Sequence, residues 1–280
     1  MNTKHLSLFM QVIKKGSITQ VAKETYVSQP AISMQLKRLE QEVGVPLFTV
    51  VGRDIALTDA GHTLMEYAET MLSLEGQIYR TMEEYRLGSR GKIIVAASQV
   101  VAAYLLPKIM VSFTQTYSDI TVELQTRTDE EIERLVKMGS IDIGMTLQPP
   151  DDHFSFRVTP FAQERLIGIQ PSLPFHSRKL IVSRDGISIP INDTWDMEIM
   201  HLDSTETVKQ FVMQGMGCGV ILESAARLEL SYGRLLPWTT FTSIPIVASV
   251  ITRPAERLSN SVWYFLNHLR NVEDGNHTAN

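Results

Sequence analysis

SQPAISMQLKRLEQEVGVPLF, Ser28 to Phe48, opens with a hydroxyl followed at once by Gln29-Pro30-Ala31. A serine in that place accepts hydrogen bonds from the first free N–H groups of a helix, and a proline inside the first turn sacrifices no helical bond. A helix is therefore predicted from Gln29. At about 100° per residue, Ile32, Leu36, Leu39 and Val43 fall on one stripe, while Pro30, Ser33, Met34, Lys37, Arg38 and Gln41 gather opposite it. The first set needs a core, and the second, polar and cationic, looks outward.

Upstream, Leu6, Phe9, Val12 and Ile13 recur at helical spacing until Gly16-Ser17, which stops one helix and caps the next. Ile18, Val21 and Ala22 make a short second helix, closed by Thr25-Tyr26-Val27. Two short helices, a tight turn and a third helix with a cationic outer face form a helix-turn-helix whose third helix can enter a major groove. There Gln29 and Ser33 can reach base edges, while Lys37 and Arg38 grip phosphate and fix register. The alternative for the two cations is a solvated helix face. Charge is divided the same way. Residues 1–58 hold seven cations against four carboxylates, net +3, so the rest of a chain of net charge −5 carries −8. A basic head on an acidic body suits a protein whose head alone meets phosphates.

Joined to LTDAG at Leu57 to Gly61, this region strongly resembles the N-terminal signature of LysR-type transcriptional regulators, nearly continuously from Leu6 to Gly61. The resemblance implies a sequence-specific regulator of transcription that binds double-stranded DNA, a β-wing between Leu47-Phe48 and Leu57-Thr58, and a long dimerising helix from near Asp59. The residues it brings to DNA are Ser28, Gln29, Pro30, Ser33, Met34, Lys37, Arg38 and, on the wing, Arg53. Met34 and Val50 depart from the pattern, standing where the family commonly has arginine. With two fewer cations, fewer phosphates are neutralised, and a comparatively shallow salt dependence is expected.

From Asp59 to Arg86 there is no proline, and Leu64, Met71, Ile78 and Tyr85 repeat every seven residues beside Ala68, Leu74 and Met82. That is the pattern of a coiled-coil seam, with packing on the helix's own domain as the alternative. The candidate dimer contacts are Leu64, Met71, Ile78, Met82 and Tyr85. The resemblance implies a homodimer through this helix and suggests a homotetramer. Leu87-Gly88-Ser89-Arg90-Gly91 is a polar, flexible break, which divides the chain into a head (1–58), a dimerisation helix and hinge (59–90) and a body (91–280).

In the body, Lys92–Ala97, Ile120–Leu124 and Ile141–Met145 read as strands separated by helices, the rhythm of a parallel α/β sheet. Thr128 and Glu131 form a capping box. Further strands are expected at Leu166–Ile169, Leu180–Val182, Val220–Leu222 and Ile246–Ile251, with helices after Asp203 and from Ser259 to Arg270. The runs LLPKIMVSF, GSIDIGM and LDSTETVKQFVMQGMGCGV also resemble the LysR-type effector domain. That implies two α/β subdomains similar to periplasmic solute-binding proteins, one of residues 91–163 and 244–270 and the other of 164–243. The crossovers would lie near Phe161–Leu166 and between Pro237 and Ile246, with a small-molecule effector in the cleft. Residues 183–192 are too few for the helix that relatives insert there, so the second subdomain is expected to be shortened. Parallel sheets bind ligands beyond their strand C-termini, where helix N-termini favour anions, so an anionic effector is expected. Ser98, Gln99, Thr126, Thr128 and Thr146 are the candidate contacts, each otherwise explicable as a cap or turn residue.

No catalytic constellation is visible. The seven histidines are scattered, and no HExxH, GxSxG or P-loop pattern occurs. Gly215-Met216-Gly217-Cys218-Gly219 follows a helix and precedes a strand, the reverse of a dinucleotide fingerprint. The acidic run Asp129-Glu130-Glu131 with Glu133 suits a helix N-terminus better than a metal. No cofactor, no metal, no disulfide from the lone Cys218 and no membrane segment or signal peptide are expected, which places the chain in the cytoplasm. The rival assignments are a small-molecule-binding α/β protein with a helical interaction module and an α/β enzyme of unrecognised type; neither explains the basic head.

Overall fold

A computed structural model describes residues 2–51, 54–87, 91–150, 152, 155–184, 197–254 and 258–277. They form two compact units, one reaching to Met82 together with 138–140, the other containing the remainder.

In the first unit α1 (Thr3–Lys15), α2 (Ile18–Thr25) and α3 (Gln29–Val43) each begin at a side-chain cap. Asn2, Ser17 and Ser28 accept from the N–H groups of Lys4, Gln20 and Ala31. α1 and α3 end on glycines in the left-handed region, whereas α2 ends on Tyr26 at φ 56°, the sole non-glycine with positive φ among the described residues. Leu6, Phe9 and Val12 of α1, Val21 and Ala22 of α2, and Ile32, Leu36 and Leu39 of α3 close into one core. β1 (Phe48–Val51) and β2 (Asp54–Leu57) pair as the expected hairpin, Phe48 opposite Leu57. The Glu40 carboxylate accepts the N–H groups of Leu47 and Phe48 at 2.8 and 3.3 Å, which anchors the hairpin's first strand to α3. The ring of Phe48 meets that of Phe9 edge-on at 5.3 Å. α4 (Asp59–Leu87) is one helix of 29 residues. Leu64, Ala68 and Leu72 turn from it onto the head's core.

In the second unit β3 (Gly91–Ala97) lies between β4 (Ile120–Thr126) and β5 (Ile143–Thr146), all parallel. One π-helical turn, Val101–Leu105, leads into α5 (Leu106–Thr116), and α6 (Asp129–Met138) joins β4 to β5. Side chains alternate along β3. Ile93, Val95 and Ala97 pack with Leu106, Ile109 and Phe113 of α5 and with Phe265 of α9 (Asn260–His277), while Ile94 and Ala96 face Ile132 and Val136 of α6. Burial on both faces is why the strand reads as an unbroken apolar run. A Cβ at Gly144 would collide with Ile132 and Ile251, so glycine there lets α6 seat on the sheet.

A second parallel trio follows: β7 (Lys179–Ser183) between β8 (Glu198–Leu202) and β9 (Cys218–Leu222). α7 (Thr205–Met213), α8 (Glu223–Ser231) and the short β10 (Leu235–Pro237) complete this lobe. The two trios are joined by an antiparallel pair, β6 (Arg157–Pro171) and β11 (Ile244–Thr252), in register from Ile244 opposite Leu166 to Thr252 opposite Arg157 with one bulge. The sheet order is β4-β3-β5-β11-β6-β9-β7-β8, with β10 on β6. The first expected crossover, Phe161–Leu166, lies within β6, while the second, expected between Pro237 and Ile246, begins only at Ile244 as β11; the two pair with each other, so the sheet is mixed. β8, α8 and β10 are not evident in the sequence. β8 is only five residues long and buries none of them fully, with Glu198, Ile199 and His201 exposed and Met200 and Leu202 half-buried, so it shows neither a clean alternation nor a buried run. The expected shortening after Val182 falls on residues 185–196, outside the described residues.

A buried cation bridges the lobes. Lys209 of α7, 5% exposed, sits 2.8 Å from Glu206 and 2.7 Å from Glu229 of α8. Its ammonium lies over the ring of Tyr104, whose hydroxyl donates to Glu206 at 3.2 Å from the π-helical turn of the first lobe. Burial disfavours the charged lysine, but the hydrogen bonds to the two carboxylates outweigh it and hold its pKa above the ordinary value. Removing one partner of such a cluster leaves charge buried and unpaired, so Lys209→Ala should cost about 3–5 kcal/mol in urea denaturation. Lys179→Ala, which removes an exposed pair with Glu198, should cost less than about 1 kcal/mol. Equal small losses would show that the cluster is not structural.

Candidate nucleic-acid interface and ligand cleft

Because α3 buries Ile32, Leu36 and Leu39, it must turn the opposite face outward. Gln29, Pro30, Met34, Lys37 and Arg38 are exposed there, and Ser33 is half-buried. Met34 is 66% exposed, an apolar side chain in the middle of a polar face. Neither Lys37 nor Arg38 is paired with a carboxylate among the described residues, whereas Lys15 is held by Glu24 at 2.9 Å. Ser28 accepts the N–H of Ala31 at 3.4 Å, so its first role is to cap α3. Arg53 lies outside the described residues. Tyr26, 97% exposed in the turn before α3, is a feature that helical periodicity does not single out. Its signal is a bulky residue in a left-handed position, where glycine or asparagine is usual.

The five candidate dimer contacts separate. Leu64 is half-buried and packs against the head's own core. Met71, Ile78 and Met82 are exposed, as are Tyr67, Leu74 and Tyr79 of the same helix. The side chain of Tyr85 lies outside the described residues.

The ends of β3 and β4 come level, Ala97 opposite Thr126, and a cleft of about 1140 Å³ opens beyond them. From the first lobe it is lined by Ser98, Gln99, Thr126, Arg127, Thr128, the opening turns of α6 and Gln148 to Pro150, and from the second by Arg184 and Asp203. The N–H of Ser98 donates to Met145 O and that of Arg127 to Ala97 O, both at 3.1 Å, which fixes the two loops. Ser98 is 4% exposed, and its Oγ has no hydrogen-bond partner. Thr128 and Glu131 form the capping box, at 3.1 and 3.3 Å. Thr146 does not reach the cleft. Its hydroxyl donates to Gln148 O at 3.0 Å and the residue is fully buried, because β11 pairs along β5 at that point. Sequence alone missed Arg184 and Asp203. They follow the paired ends of β7 and β8, and without β8 in the reading Asp203 had no strand to follow.

The cleft's charge runs against the expected anionic effector. Asp129, Glu130, Glu131, Glu133, Asp152 and Asp203 face Arg127 and Arg184, six carboxylates to two guanidiniums, a balance of −4. Cys218 is buried, which pushes its thiol up to about 11 and leaves it an inert core residue. Among the described residues no three acidic, histidine or cysteine side chains are placed to hold a metal ion, and no helix is long and apolar enough to cross a membrane.

Comparison with known proteins bears on both surfaces. Residues 3–62 match the bacterial regulatory helix-turn-helix protein, lysR family, and residues 86–184 match the LysR substrate binding domain. A probable RuBisCO transcriptional regulator of Trichormus variabilis is 32% identical over 255 residues, covering 82% of this chain and 76% of that protein. One of Cyanophora paradoxa is 29% identical over 293 residues, covering 94% and 89%. Full-length CbnR, solved in complex with its target DNA, superposes with a TM-score of 0.74 at 21% identity over 97% of this chain and 99% of that one. A full-length OxyR variant from Pseudomonas aeruginosa superposes at 0.66 with 17% identity, over 96% and 95%.

A buried hydroxyl without a partner is a liability in the ligand-free protein. Ser98→Ala should therefore leave stability unchanged or raise it by up to about 1–2 kcal/mol, while Thr146→Val, which forfeits a made bond, should lower it by about 1 kcal/mol. Chemical denaturation of the purified chain measures both. A loss above about 1 kcal/mol for Ser98→Ala would show that the hydroxyl is already bonded.

Proposed function

The chain belongs to the LysR family of transcription regulators, with a DNA-binding helix-turn-helix and an effector-binding domain, and from that premise we propose how its own residues divide the work. The exposed face of α3 is the observation that carries the reading: Gln29 and Ser33 read base edges, Pro30 and Met34 make apolar contact, and Lys37 and Arg38 hold phosphate, joined by Arg53 of the wing. Ser28 sets the start of the helix. The exposed methionines and Ile78 of α4 form the seam of a homodimer, and an apolar stripe of this kind on a single chain calls for a partner. Two heads then address a partly palindromic site, with a tetramer built from two such dimers. Residues 1–58 serve as the head, 59–90 as helix and hinge, and 91–280 as the regulatory body. Ser98, Gln99, Thr126 and Thr128 contact a small-molecule effector in the cleft. Such a protein works in the cytoplasm, where the DNA is. CbnR, solved with its target DNA, supports the use of this fold on a duplex.

A gel shift against the DNA upstream of the chain's own coding sequence tests the assignment. A sequence-dependent band that survives competitor DNA is expected, and Gln29→Ala should abolish it while dimerisation is retained. A plain ligand-binding protein or an enzyme gives no such band.

Salt dependence reports the charge of the face. Lys37→Ala should lower the slope of log K against log salt by about one, and Met34→Arg should steepen it by about 0.9, one phosphate each. An unchanged slope in Met34→Arg would place that residue away from the backbone. On α4, Ile78→Glu should yield monomers in sedimentation with the head still folded, whereas Leu64→Ala should cost the head about 2–5 kcal/mol with dimerisation intact.

A further inference from the structure

We propose that the effector of this cleft is a small organic cation, an amine carrying one or more ammonium groups. The proposal rests on the cleft being the effector site. Helix N-termini attract anions when their N–H groups are free and their partial charge is unopposed. Here the partial charge is opposed and part of the N–H set is already taken. At α6 the Thr128–Glu131 box closes the first turn, and Asp129, Glu130 and Glu131 place three carboxylates against the helix's positive end. At α7, Ser204 accepts the N–H of Thr207 at 3.2 Å, with Asp203 before it and Glu206 after.

The lining as a whole has a balance of −4, and crediting Lys137, which approaches Asp152 at 3.8 Å, still leaves −3. The negative balance lies on the first lobe, where five carboxylates stand against Arg127, while on the second Arg184 and Asp203 offset each other at 3.5 Å, so an incoming carboxylate or phosphate meets net repulsion and an ammonium is drawn in. An independent observation points to a ligand. The hydroxyl of Ser98 lines the cleft, is almost fully buried and has no partner, and its oxygen can accept an ammonium N–H. A metal ion needs several convergent ligands, and the described residues offer no such group. An amine is satisfied by single acceptors spaced along the cleft, such as Glu130, Ser98 and the exposed Asp203, which Arg184 approaches at 3.5 Å on one oxygen only, and a space of about 1140 Å³ has room for a flexible or branched one.

Isothermal titration of the purified full-length protein at low salt tests this with putrescine, spermidine and argininamide set against citrate, inorganic phosphate and magnesium chloride. At least one amine should bind saturably, and Glu130→Gln combined with Asp203→Asn should weaken it at least tenfold, both side chains being exposed and the variant's fold checked by circular dichroism. Saturable binding of an anion, or of magnesium alone, that Ser98→Val weakens would overturn the amine class and leave the cleft as the effector site. Should none of the probes bind, or should a bound amine ignore both variants, the cleft reading fails and the proposal fails with it.

Discussion

A helix can bury only one side of itself in a three-helix head, and the function of this chain depends on which side α3 buries. Ile32, Leu36 and Leu39 are fixed by packing on Leu6, Phe9 and Val12, so the opposite face has no choice but to be presented. Its axial position is fixed as well, by the Ser28 cap at one end and at the other by Glu40, which holds the backbone where the hairpin starts. A recognition surface made this way is rigid because the forces that set it lie in the core beneath it and at its ends. The same reasoning explains how an apolar Met34 can stand on a polar face. It is exposed, so its identity is free of packing and subject only to what it meets outside.

The body depends on a different constraint. Parallel strands need crossover connections, and two parallel trios would make two separate folding units if nothing joined them. The β6–β11 ribbon supplies the joint through backbone hydrogen bonds, which are indifferent to side chain. A second tie runs through Tyr104, Glu206, Lys209 and Glu229, and it is entirely side-chain chemistry. The two ties differ in kind, one a hinge that keeps the lobes in register and the other a clasp whose strength depends on keeping a buried ammonium fully paired.

The head was legible in the sequence almost residue by residue, because its helices are short, capped by Ser17 and Ser28, stopped after α1 by Gly16, and amphipathic at one period. The first lobe was nearly as clear, since β3 is a buried apolar run and Thr128–Glu131 announces a helix. Errors arose where burial depends on partners distant in sequence. Leu64 fits a heptad, and only the fold of α4 against α1 to α3 shows that it also packs on the head core. Thr146 ends a strand as Thr126 does, but an antiparallel neighbour just over a hundred residues later covers it. Lys209 lies on the apolar stripe of α7 with Val208 and Val212, and a lysine in that place is itself the sign of a buried ion pair.

Charge links the two halves. The head carries +3 and the rest of the chain −8, and half of that −8 is concentrated in the lining of the cleft. Acidic surface on the body disfavours contact with a duplex, an effect that carboxylates anywhere would serve. Their concentration between two lobes, at helix ends already capped, goes further than repelling DNA requires, since a confined cleft focuses the field that a convex surface would disperse. One distribution of charge therefore separates the nucleic acid from the body and sets the sign of the small molecule that the body admits.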